Sequence, residues 1–126
     1  MFTSDKRIIP FYTSKGDVEV FMLYPYLYNR LGEWVGWATP NQEVYSVLGF
    51  YVGYFSNDHR ILCKRFLDKK KPNLIPPPPP QHVMPPATIP LAPLMSELLY
   101  STVDVLLEEP EKLHPLDAGE FRKDLD

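Results

Sequence analysis

The chain has 126 residues, 44% of them hydrophobic, and a formal net charge of −3. That length holds about one domain, and so mild a charge does not draw a chain to nucleic acid or to an anionic membrane. The single cysteine, Cys63, excludes an internal disulfide and makes a reducing, cytoplasmic setting the default; neither a signal peptide nor an apolar run of ~18 residues is legible.

Composition divides the chain. Fifteen of its aromatic residues lie in 1–66, leaving only Tyr100 and Phe121 beyond, whereas twelve of its 15 prolines follow residue 66. This gives a β-hairpin repeat module over 1–66, a proline-rich connector over 67–93 and a helical, acidic tail over 94–126.

The first segment contains three near-copies of one phrase: FYTSKGDVEVF (11–21), LYNRLGEWVGW (27–37) and VYSVLGFYVGY (44–54). A repeat this short is one β-unit copied around an axis or along a stack. Gly16, Gly32 and Gly49 fall where each copy must reverse, because glycine reaches the positive φ that hairpin turns need. A second set of turns is expected at 39–42 and 56–59. The flanking Val, Tyr, Phe and Trp residues suit strands, placed near 8–13, 17–23, 25–29, 33–38, 43–47, 50–56 and 60–66. The last lacks a turn glycine and is expected to close the array by pairing with Arg7-Ile8-Ile9. Strict alternation puts Val35 with Trp37, and Trp34 with Gly36, on opposite faces.

The shared phrase, apolar-Tyr-x-x-x-Gly-x-aromatic-Val-Gly-aromatic in its second and third copies, resembles the four-fold β-flower family over residues 8–66. The resemblance implies hairpins arranged around a central axis, often followed by a proline-rich tail. It implies no reaction. The fold expected is thus mainly β: a closed or nearly closed array of repeated antiparallel β-hairpins, followed by a polyproline arm and a C-terminal helix.

In the connector, Pro76 to Pro80 and the prolines around them favour polyproline II, which over 72–93 would span about 68 Å. Polyproline docks on aromatic grooves. The connector is therefore expected to lie on the outer aromatic face, around Trp34 and Tyr51, in its own subunit or in a partner's; the alternative is a flexible spacer. In the tail, residues 94–109 read as a helix between Pro93 and Pro110, with a narrow polar stripe of Glu97, Ser101, Asp104 and Glu108. A helix so largely apolar must be covered, and its acidic stripe disfavours a lipid surface. Asp117 and Glu120 have the spacing of a capping box opening a short helix through Leu125.

Chemistry is sparse. His59, His82 and His114 share no ligand spacing, so no metal or other cofactor is expected, and Cys63 reads as a small buried residue. Glu108-Glu109 is the only adjacent acid pair, and nothing converges on it. Non-enzymatic function follows: a structural or accessory protein-interaction module, homo-oligomeric or part of a larger assembly. Its contacts are expected at Leu94, Met95, Leu98, Leu99 and Leu106. The alternative is a small-ligand module in which Trp34, Trp37, Tyr51 and Tyr54 stack on sugars or quaternary ammonium groups.

Overall fold

The computed structural model describes residues 7–66 and 70–116. The expected capping-box helix after Asp117 lies outside them. Eight strands form one antiparallel sheet in chain order: β1 (Ile9–Tyr12), β2 (Val18–Leu23), β3 (Tyr26–Asn29), β4 (Trp34–Ala38), β5 (Glu43–Ser46), β6 (Tyr51–Phe55), β7 (Ile61–Lys64) and β8 (Thr102–Asp104). The sheet curls into a half-barrel. The first seven strands stand where the aromatic and β-branched runs place them; β8 does not.

Five of the turns share one design. Thr13, Asn29, Thr39, Ser46 and Ser56 each accept the amide of the residue three later at their backbone carbonyl. Each side-chain oxygen also takes the amide four residues on, at 3.0–3.4 Å. This local side-chain bond is why a short polar residue opens each turn. The fourth residue is left-handed in all five: Gly16, Gly32 and Gly49 at φ 89°, 81° and 90°, Gln42 and His59 at 64°. The two expected sets of turns are therefore one motif, used at both ends of the strands.

Strand alternation is broken once per copy. The ladders skip Glu19, Val35 and Val52, which are the extra residues of three bulges. A bulge turns the following side chains to the other face. Trp34 and Trp37 consequently belong to the same cluster, with Phe21, Tyr28 and Val47, and not to opposite faces. Val35, Leu27, Val44, Val52 and Ile61 are in the other cluster, essentially inaccessible to solvent. That cluster fills the concave side, since Phe11 of β1 stacks on Phe55 of β6 at 4.6 Å across the curl. Gly36 serves this core. A Cβ there would sit 2.7 Å from both Leu113 Cδ2 and the Tyr45 carbonyl oxygen.

Two expectations about the end of the chain fail. Residues 94–109 do not form a helix. Residues 94–99 carry no helix or strand, β8 follows, and α1 (Val105–Glu108) is a single turn before a 3₁₀ turn at Pro110–Lys112. The β-branched Thr102 and Val103 pair with Lys64 and Cys63, and Val105 and Leu106 enter the concave core. Sheet pairing and core burial thus displace the helix that the apolar pattern favours. Nor does β7 pair with residues 7–9; β8 takes that edge.

Side chains and turns, not a ladder, hold the two ends of the sheet together. The Tyr12 amide donates to the His59 carbonyl at 2.8 Å, and a His59 ring nitrogen lies 2.9 Å from the Pro10 carbonyl oxygen. Buried Arg60 donates twice to Asp58, once to Ser14 Oγ and once to the Ser96 carbonyl. Ser14 in turn donates its amide and hydroxyl to Asp104 of β8. One guanidinium thereby links the β1–β2 turn, the β6–β7 turn and the chain entering β8.

We expect Arg60→Ala to lower the unfolding free energy by roughly 3 kcal/mol in urea titrations, because it strands the partner charges of a buried cation. The hydrogen bond from Arg60 is the main cause holding the Asp58 carboxyl below its ordinary value of 3.8. Its contribution is therefore present above that pH and lost as pH falls through the lower folded value. Arg60→Ala should flatten this part of the acid limb.

Candidate functional site: the proline-rich arm on the hairpin ends

The chain from 70 to 101 connects β7 to β8, and it lies against its own hairpins. Along residues 74–98 burial follows a period of three. Pro77, Pro80, Val83, Pro86, Ile89, Ala92, Met95 and Leu98 are half-buried, while every residue one position after them is exposed. Three residues per turn is the period of polyproline II. One edge of that helix faces the protein and another faces outward along its whole length. The contact edge is apolar throughout, beginning at Leu74.

Two backbone contacts fix the arm. The Leu74 amide donates to the Gly49 carbonyl at 2.9 Å, and the Val83 amide to the Gly32 carbonyl at 3.2 Å. In return, a Cβ on Gly49 or Gly32 would overlap the Leu74 or Val83 carbonyl oxygen. The same oxygen can then meet the glycine Cα–H, a weak but recurrent contact. Leu74 and Val83 are nine residues apart, three full turns, so the same edge returns at each hairpin. Nine residues further, Ala92 Cβ lies 3.9 Å from the Cβ position of Gly16, in ordinary contact, and Tyr12 donates its hydroxyl to the Pro90 carbonyl at 2.6 Å. The arm thus visits the turns at 49, 32 and 16 in that order. It then reaches Arg60 through the Ser96 carbonyl, and Arg65 through the Tyr100 carbonyl at 2.7 Å.

The sequence-derived contact residues fall into three groups. Trp34 is buried against Val83 of the arm in the outer cluster. Trp37 stacks on Tyr45 at 5.3 Å and donates its indole N–H to the Ser46 carbonyl. Tyr51 meets Tyr45 edge-on at 5.6 Å and has the Lys71 ammonium 5.4 Å from its ring, while Tyr54 is half-buried in β6. Lys71 also pairs with Glu43 at 2.7 Å, which raises its pKa. Leu106 is core, Met95 and Leu98 lie on the contact edge, and Leu94 and Leu99 are exposed. The arm docks on its own subunit, on the hairpin ends and Trp34 more than on Tyr51. Gly32, Gly49, Leu74 and Val83, the residues that dock it, are not among the sequence-derived contacts. Their signal is the apolar residue at every third position from 74 to 98.

A cavity of about 440 Å³ opens at the opposite ends of the strands, lined by Ile9, Phe11, Met22, Phe55 and His59 among others. Burial pushes the Cys63 thiol up, which suits a core residue rather than a nucleophile. Among the described residues no group of three or more His, Cys, Asp or Glu is placed to hold a metal, and no helix is long and apolar enough to cross a membrane. Comparison with protein-family models, curated proteins and solved structures gives no match.

We expect Gly16→Ala to cost about 1 kcal/mol, the strain of a left-handed alanine. Gly32→Ala and Gly49→Ala should cost more and also expel the arm, read as lost hydrogen-exchange protection at the Val83 and Leu74 amides respectively. At high pH, burial raises Tyr51 from 10.0 to about 12. Its contribution is complete below pH 10 and lost as pH rises toward 12; Tyr51→Phe should remove that part of the alkaline limb.

Proposed function

We propose that this is a non-enzymatic structural or accessory module that displays a stiffened proline-rich arm for assembly with proteins, its own copies included. One observation carries the reading. On the arm's free edges Met84, Leu91 and Leu94 are 85%, 94% and 100% exposed, although the arm itself is held in place. Scattered apolar residues on a surface need no explanation, but several large ones held out on the two free edges of a fixed arm mark a contact surface. Leu99 at 77% extends the series. A preformed arm also loses little chain entropy on binding.

In this reading β7 and β8 are a fourth hairpin whose loop has grown into the arm. The hairpins form a nearly closed array of the kind that the four-fold β-flower resemblance implies. A sugar- or ammonium-binding role has less support, because Trp34, Trp37 and Tyr51 are engaged in packing. The contacts once assigned to a tail helix pass to the arm and its continuation.

Light scattering after size exclusion tests this. The wild-type chain should give a concentration-dependent oligomer. Met84→Ser/Leu91→Ser/Leu94→Ser should be monomeric, with stability within about 0.5 kcal/mol of wild type since these side chains touch no core. A wild-type chain monomeric at every concentration overturns self-assembly.

A further inference from the structure

We infer that Ile75-Pro76-Pro77-Pro78-Pro79 is a polyproline II ligand for a partner protein bearing an aromatic-lined groove. The inference shares with the reading above the idea of a displayed arm. It concerns a different stretch and a different partner, and does not need self-assembly.

Polyproline II has a triangular cross-section, so a groove laid against it meets two of three edges. Here the third edge is already taken. Pro77 and Pro80 are half-buried on the contact edge. The other two edges pair Ile75 with Pro76, and Pro78 with Pro79. These are two apolar-proline dipeptides one helical turn apart, the spacing that aromatic grooves accept. Ile75 is 93% exposed, Pro78 and Pro79 are exposed and Pro76 is half-exposed.

The stretch is also preformed. Five consecutive prolines, 76–80, fix φ and lack amide donors, so their free carbonyls are left for the Trp and Tyr donors that line such grooves. The arm's bonds to Gly49 and Gly32 sit on either side, at Leu74 and Val83, and hold both ends. A second copy of this chain is a poorer occupant. Among the described residues its most exposed aromatics are Tyr24, Phe50, Phe66 and Tyr100, and Phe66 lies 6.4 Å from Tyr100, under which Arg65 is already seated.

The test titrates the full chain, by calorimetry, with three purified polyproline-reading domains: an SH3, a WW and an EVH1 domain. The peptide of residues 73–82 is run in parallel. We expect at least one domain to bind the full chain no more weakly than the peptide. Pro78→Ala/Pro79→Ala, on the free edges, should weaken binding at least tenfold while leaving the Leu74 and Val83 amides protected. Met84→Ser/Leu91→Ser/Leu94→Ser should bind as wild type, which separates this inference from self-assembly. It is overturned if none of the three domains binds the chain. It is equally overturned if a domain binds only the peptide, or binds the proline variant undiminished.

Discussion

Everything on the outside of this molecule depends on a carbonyl oxygen standing where a side chain would otherwise be. At Gly32 and Gly49 the missing Cβ leaves room for the Val83 and Leu74 carbonyls, and each glycine carbonyl receives an amide in exchange. A proline-rich segment has few amides to give, so where they fall decides how it can dock. Leu74 and Val83 flank the proline run, lie on the same edge of a three-residue helix and are three turns apart. Chain period and hairpin spacing therefore agree, and a segment unable to join a sheet is held by backbone contacts.

The arm runs along the end of the strands where the turns carry glycine. All five turns of the shared design need a left-handed residue. At the end away from the arm the position is filled by Gln42 and His59, at a tolerable strain of about 1 kcal/mol each. At a φ of 64° left-handed geometry alone does not demand glycine, although the three glycines lie further out, at 81–90°. The arm does demand it, at two of three positions; at Gly16 the neighbour is only the Ala92 methyl group.

The seven strands of the repeat module were legible because their aromatic and β-branched runs are separated by turn formers. Three things were not. The faces of Trp34 and Trp37 depend on the bulge at Val35, and alternation carries no mark of an inserted residue. The tail was read from an apolar pattern that suits a helix, while Thr102 and Val103 went to an open edge of the sheet that only the assembled fold supplies. The arm's contact edge was written plainly, as an apolar residue at every third position. A period of three is neither the strand's two nor the helix's 3.6, and so it passes unseen when only those are sought. Docking on Trp34 was anticipated in outline, with the choice of subunit left open; docking through glycine was not, since those glycines had already been explained by their turns.

Because the arm leaves from β7 and returns as β8, it is topologically a loop and not a tail. Closing it costs about 2 kcal/mol more than closing a four-residue hairpin loop, by the logarithmic growth of chain entropy, and β8 offers only three residue pairs in return. The last strand therefore gains its place through the whole circuit of contacts laid down before it, with Arg60 at the end of that circuit. In chain order the hairpins come first, the belt runs along their ends, and β8 is the buckle. A single backbone scission within the belt would leave two fragments that each hold half of the fastening, a natural point at which to divide this molecule into complementing pieces.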